Sequence, residues 1–226
     1  WTPSAEATTE STAEAQARVW QATLVLTDTS IVDSVAWSPD GSKIAAGDRD
    51  GNLSVWDAAT GASLLTMSGH DGDVTSVAWS PDGSSIATVT NGTDNAAASW
   101  HGSVMIWDAA TGANLHTLTG HTARLDSVSW SPDGTKVVSA SPIDESVRVW
   151  DAATGANLLT LTLPSSQNET SVAWSPDGTK LASTTNDKSI LVWDGTTGDT
   201  LLTLTGDTGT PSQLAWSPDG SKIAAG

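Results

Sequence analysis

The sequence predicts an all-β protein built from repeated four-stranded antiparallel units, and three observations carry that prediction. The stretch SVAWSPDG at residues 34–41 returns unchanged at 76–83 and 171–178, with close variants at 127–134 and 213–220. A second signal, Trp-Asp, recurs at Trp56-Asp57, Trp107-Asp108, Trp150-Asp151 and Trp193-Asp194. Both series share a period of about 43 residues, lengthened once between Trp79 and Trp130. Within each period, apolar and polar residues alternate in short runs broken by Gly, Pro and Asp, which is the pattern of strands joined by turns.

The elements follow in order. Residues 1–16, WTPSAEATTESTAEAQ, are too polar to build a core and read as a flexible or strand-donating tail. With no initiator Met, Trp1 reads as the product of processing or as the start of a fragment. Residues 17–30 hold ARVW and TLVLT, one long strand or two short ones. The first unit, 31–68, shows the plan of the others: IVDSVAW, the turn SPDG, SKIAAG, the turn DRDGN, LSVWD, AATG and ASLLTM. SPDG places Pro second and Gly fourth, as a type I turn closing a hairpin requires. Further units span 69–119, 120–162 and 163–205, and a half unit spans 206–226. The longer second unit owes its length to an insertion at 90–102, TNGTDNAAASWHG.

Units of this size ending in Trp-Asp resemble the WD40-repeat family of β-propellers. The resemblance covers about residues 17–226. It implies a β-propeller of four-stranded antiparallel blades with five blade equivalents, four complete and one shared between the two ends of the chain. Seven is the family's usual number. It also implies a buried hydrogen-bonded set in each blade: a His after Gly, a Ser or Thr on the second strand, an Asp in the next turn, and the Trp of the third strand. The third unit matches with His121, Ser139, Asp144 and Trp150. The second offers His70, Thr88 and Trp107, with His101 where the turn Asp is expected. The fourth offers Ser183, Asp187 and Trp193 without a His. The first offers Asp50 and Trp56, with Ala46 on the second strand.

On this reading the recurring octet is scaffold, because each sheet needs its own copy to pack on the next, whereas a catalytic residue is needed at one address. Two ways of completing the end half-units stay open: closure within one chain, or completion by another copy through an exposed strand edge.

Composition narrows the function. A net charge of −17 argues against nucleic acid or an anionic membrane surface as partner, since both reward clustered Lys and Arg. No apolar run is long enough for a transmembrane segment. The absence of Cys removes disulfides, thiolate catalysis and zinc–cysteine sites. No His pair has metal-ligand spacing, and DRDGN lacks the later Gly and Glu of a calcium loop. Nine of the 26 carboxylates belong to the repeated SPDG and Trp-Asp turns. No catalytic residue, metal or cofactor is therefore expected.

The resemblance implies a non-enzymatic protein-protein interaction or assembly scaffold. The alternative is a self-assembling structural subunit of an extracellular oligomer or fibre, its partners being copies of itself. A Ser/Thr-rich first segment suits an extracellular or cell-surface setting. Trp100 and His101 in the insertion, with Trp1, are the candidate partner-binding residues, because insertions in repeat proteins map to loops and aromatic side chains anchor partners.

Overall fold

The computed structural model describes residues 26, 30–92, 102–164, 170–185, 187–205 and 213–226. Among them there is no helix, and the strands form four four-stranded antiparallel sheets and one two-stranded sheet. The first sheet holds β1 (Val32–Trp37), β2 (Lys43–Asp48), β3 (Leu53–Asp57) and β4 (Ser63–Met67), side by side in chain order. The second holds β5 (Gly72–Trp79), β6 (Ser85–Gly92), β7 (Val104–Asp108) and β8 (Asn114–Leu118). β9 (Ser127–Trp130), β10 (Lys136–Ser141), β11 (Ser146–Asp151) and β12 (Asn157–Thr162) make the third. The fourth is β13 (Val172–Trp174), β14 (Lys180–Thr184), β15 (Ser189–Asp194) and β16 (Thr200–Thr205). β17 (Leu214–Trp216) and β18 (Ile223–Ala225) form the two-stranded fifth. Each four-stranded sheet has the make-up of one blade, and the two-stranded sheet has the first two strands of one.

Two recurring Asp turns set the shape of each blade. In SPDG the Asp40 carboxylate accepts from Ser38 Oγ, from the Ser42 amide and from Ser42 Oγ, and Gly41 N–H closes onto Ser38 C=O at 2.9 Å. The same turn recurs at Asp82, Asp133, Asp177 and Asp219. After the third strand, Asp57 accepts from the Thr60 amide at 2.8 Å and from Thr60 Oγ1 at 2.7 Å, folding AATG back into the outer strand. Asp108 and Asp151 do the same, and Asp194 accepts from the Thr197 amide. These donors hold Asp40, Asp177 and Asp219 at a pKa of about 2, so the turns are fully charged and hydrogen-bonded at neutral pH.

The core lies between blades. Ala45, Leu53, Val55 and Met67 of the first sheet pack with Val77, Trp79, Ile86 and Trp107 of the second. Two more clusters fill the second and third seams, around Trp130 with Trp150 and around Trp174 with Trp193. No sheet of this size buries both faces alone, so the blades are stable only as a stack.

Polar stitches add to that packing. The amide of Val77 donates to Ser34 Oγ of the preceding sheet, and Val128, Val172 and Leu214 donate likewise to Ser76, Ser127 and Ser171. The Trp79 indole N–H donates to Ala36 C=O at 3.1 Å; Trp130 repeats this to Ala78 and Trp216 to Ala173. In Ser-Val-Ala-Trp, Ser and Ala thus face forward as acceptors while Val and Trp reach back as donors. The octet therefore does more than pack: it hydrogen-bonds each blade to the one before it. Trp174 is the exception, its buried indole nitrogen having no hydrogen-bond partner.

Candidate functional site

The predicted polar set of the third blade forms one continuous chain. His121, in the loop before β9, lies with Nδ1 2.7 Å from Asp144 Oδ2 and Nε2 2.8 Å from Ser139 Oγ. Trp150 Nε1 donates to the same Ser139 Oγ at 2.8 Å. A neutral imidazole carrying its proton on Nδ1 satisfies every member: it donates to Asp144, accepts from the Ser139 hydroxyl, and leaves that oxygen to accept the indole proton. Burial pushes the His121 pKa down against the pull of Asp144. Burial also opposes charge on Asp144, but donors from His121, Ser146 and the Thr122 amide outweigh it and hold the carboxyl at about 2.

Ser139, His121 and Asp144 have the connectivity of a nucleophile, base and orienting acid. Their setting excludes that chemistry. Ser139 is completely buried, and its oxygen is already occupied by the Trp150 indole. No substrate reaches it, so the chain of bonds is structural.

The second blade builds the same relay with a different terminus. His70 Nε2 lies 2.8 Å from Thr88 Oγ1, which accepts from Trp107 Nε1 at 3.0 Å. His70 Nδ1 pairs with the Gly51 carbonyl of the first blade at 2.9 Å. A backbone oxygen of the neighbouring blade thus stands where Asp144 stands in the third. Burial depresses the His70 pKa too. His101, expected in the Asp position, lies outside the described residues.

The fourth blade does not form the predicted set. Asp187 accepts from Thr185 Oγ1 and Ser189 Oγ, folding its own turn, and makes no bond to Ser183. Ser183 Oγ is buried without a hydrogen-bond partner, although Trp193 is buried on the neighbouring strand of the same sheet. Without an imidazole to span the distance, turn carboxylate and strand hydroxyl stay apart. In the first blade the turn is organised by buried Asp48, which accepts from the amides of Asp50 and Asn52, while Asp50 is exposed. The sequence marks Asp48 only as the first residue of the DRDGN turn; that its carboxylate organises the turn is an Asx-type feature outside the repeated pattern. His116 sits on outer strand β8, with Nε2 3.0 Å from the Ala153 carbonyl of the next blade.

Residues within or just before the inner strands of all five sheets line one cavity of about 600 Å³. Its lining includes Asp33, Asp73 and Asp126 together with Arg49 and Arg124. Arg49 Nε pairs with Asp33 at 3.0 Å and Arg124 Nε with Asp126 at 3.3 Å. Among the described residues no group of three His, Asp or Glu is placed to hold a metal ion, and no helix is long and apolar enough to cross a membrane. Trp1 and Trp100 lie outside the described residues, as do residues 1–16 and most of the 17–30 segment.

Comparison with known proteins fits this geometry. The family described as WD domain, G-beta repeat matches residues 61–108, 112–151 and 158–194. The chain belongs to the WD40-repeat family. The Anaphase-promoting complex subunit 4 WD40 domain also matches, over residues 13–82. Among relatives, WD repeat-containing protein slp1 of Schizosaccharomyces pombe is 27% identical over 110 residues, covering 49% of this chain and 21% of its own. Nuclear distribution protein PAC1 of Arthroderma benhamiae is 34% identical over 112 residues, covering 49% of this chain and 24% of its own. Topless-related protein 4 of Arabidopsis thaliana is 31% identical over 111 residues, covering 48% and 9%. The matched part is thus a quarter or less of each relative's length. In WD40 terms, the Trp-Asp signature plays two roles here: in the second and third blades the Trp ends the buried relay, and in all four complete blades the Asp caps the turn into the outer strand.

Proposed function

We propose that this WD40 chain is a non-enzymatic platform for protein–protein interaction. The observation that carries this reading is the shared cavity, to whose lining separate blades contribute Asp33, Asp73, Asp126, Arg49 and Arg124. Such a lining presents fixed charges of both signs at spacings set by the stitched strands, which suits recognition of a complementary polar surface. The residues with catalytic connectivity are, by contrast, sealed in the blades.

The test is binding by the full chain with paired variants of that lining. Asp73→Lys and Arg49→Glu should each weaken retention of a defined partner protein at least ten-fold while leaving the thermal melt unchanged. Retention indifferent to both variants would reject the lining as the recognition surface.

A second reading, a self-assembling subunit, is favoured by a different observation. Val35 and Trp37 of the first sheet are exposed, whereas the equivalent Val77 and Trp79, Val128 and Trp130, and Val172 and Trp174 are buried. The extracellular setting of that reading rests on the Ser/Thr-rich residues 1–16 alone.

A further inference from the structure

Among the described residues, the lining of the shared cavity sets three carboxylates, Asp33, Asp73 and Asp126, against two guanidinium groups, Arg49 and Arg124, which leaves one negative charge over. The distances show which carboxylate carries it. Arg49 Nε donates to both Asp33 oxygens, at 3.1 and 3.0 Å, and acts on Asp73 only through space. Arg124 Nε lies 3.3 Å from Asp126 Oδ1, close enough for an ion pair although not aligned for a hydrogen bond. Asp126 also accepts from the Thr170 amide at 3.2 Å. Both guanidinium groups are therefore taken. Among the described residues the Asp73 side chain has neither a hydrogen bond nor an ion pair.

Two more oxygens of the same lining lack a donor. Asn91 stands directly opposite Asp73 in the β5–β6 register, so both side chains leave one face of the sheet with Cβ atoms about 5 Å apart. Asn91 Oδ1 is buried without a hydrogen-bond partner. Thr170, only 2% exposed, lines the cavity just before the fourth inner strand, and its hydroxyl is unpartnered too. Asp73, Asn91 and Thr170 belong to blades with a neighbour on each side.

A carboxylate without a counter-ion, beside two oxygens without donors, matches a cation bearing several N–H groups, because a charge-assisted bond to carboxylate is the strong kind. An anion would meet Asp73 with no free cation to offset the repulsion. A neutral amide would satisfy the oxygens and leave the charge. The long-range field has the same sign, since a net charge of −17 draws basic surfaces and turns acidic ones away.

We propose that the cavity receives a basic side chain, lysine or arginine, projecting from a partner protein. Asp73 is its counter-ion, and Asn91 Oδ1 and Thr170 Oγ1 are further acceptors. A field spread over the whole chain steers a whole basic surface, which favours a protein as the source over a free small cation. The inference rests on the platform reading and adds what the partner must bring to it.

Amide NMR of the full chain tests this with lysine and arginine blocked as N-acetyl amides. Blocked norleucine keeps the stem without the charge, and blocked glutamate carries the opposite one. Both basic probes should shift the amides of Asp73, Asn91 and Thr170 saturably, and less as salt rises, while norleucine and glutamate leave them in place. Asp73→Asn should weaken the basic probes about ten-fold, as loss of one charge-assisted hydrogen bond does. Its melt should match the parent's, since the Asp73 side chain bonds nothing within the described chain. Glutamate that shifts these amides, or basic probes that bind Asp73→Asn as tightly as the parent, overturn the proposal. Silence from every probe overturns it as well and leaves the platform reading to the partner-retention test. Basic probes that need Asp73, together with partner retention that ignores Asp73→Lys, overturn the partner protein as the source: the platform reading then fails and the occupant is a free cation.

Discussion

Ser139 Oγ lies 2.8 Å from Trp150 Nε1, whereas the equivalent Ser183 Oγ in the next blade is buried with no hydrogen-bond partner. The two serines occupy the same strand position in the repeat and are equally inaccessible, so they separate the value of a made bond from the cost of an unmade one. Ser139→Ala leaves the Trp150 indole N–H and His121 Nε2 without a partner, while His121 Nδ1 keeps Asp144, and should destabilise the chain by about 2–4 kcal/mol. Ser183→Ala removes an orphaned hydroxyl and should be neutral, or stabilising by up to about 1 kcal/mol. Urea unfolding of the two variants beside the parent chain reads the contrast; equal losses at both sites would reject the relay.

Acid should weaken the fold in two stages. Burial lowers the His70 and His121 pKa values, so below their ordinary value of 6.5 the unfolded chain takes up protons that the folded chain refuses. Stability therefore falls as pH drops from about 6.5 toward the folded values. Asp144 moves from 3.8 to about 2, and the stability it contributes is present above pH 4 and lost between about 4 and 2. Unfolding midpoints at pH 7, 5 and 3 should fall in order. Replacing both His70 and His121 by Gln should flatten the first stage and leave the second stage from the SPDG carboxylates. A midpoint that holds constant from pH 7 to 5 in the parent would contradict the buried neutral imidazoles.

The period was legible because packing repeats: each blade needs a turn, an alternating strand and a large apolar side chain at the same places, and all three are side-chain properties. SPDG and Trp-Asp announce their turns for that reason. What stayed hidden depends on the backbone or on distance. The Gly51 carbonyl that receives His70 leaves no trace in the sequence, since every residue has a carbonyl. The Ala36 and Ala78 carbonyls that receive Trp79 and Trp130 are equally silent. Asp187 and Ser183 fit the pattern by position, yet the pattern does not reveal that a missing imidazole leaves them unjoined. The resemblance to a family supplied the list of members for the buried set; only the coordinates show which blades assemble it.

The indole stitch is measurable by making the same substitution at two sites, one with the hydrogen bond and one without. Trp79 donates to Ala36 C=O, whereas Trp174 is buried in the equivalent place with its nitrogen unpartnered. Phenylalanine removes the N–H and similar volume at either site. Trp79→Phe should therefore cost about 1 kcal/mol more than Trp174→Phe, the worth of one hydrogen bond plus the carbonyl left behind. Thermal unfolding followed by far-UV dichroism avoids interference from the other tryptophans. Equal costs would mean that the stitch adds nothing to packing.

Gly51 joins two blades through its backbone and tolerates no side chain. Its φ is +78°, and a Cβ there would lie 3.0 Å from the Gly72 carbonyl and 3.2 Å from that of His70. Its own carbonyl receives His70 Nδ1 at 2.9 Å, so a displaced turn also breaks the second blade's relay. Gly41 is the matched control, with φ of +70° and nothing within 4 Å of its Cβ position. Alanine at 41 bears the left-handed backbone alone, at a cost of about 1 kcal/mol. Alanine at 51 adds the two close contacts and the loss of a buried hydrogen bond, and should cost about 2–4 kcal/mol. Hydrogen exchange should localise the damage to the first seam, raising exchange at the amides around His70 and Thr88 while the third blade stays protected. Equal destabilisation by the two alanines would show that backbone conformation alone, and not the His70 contact, selects glycine at position 51.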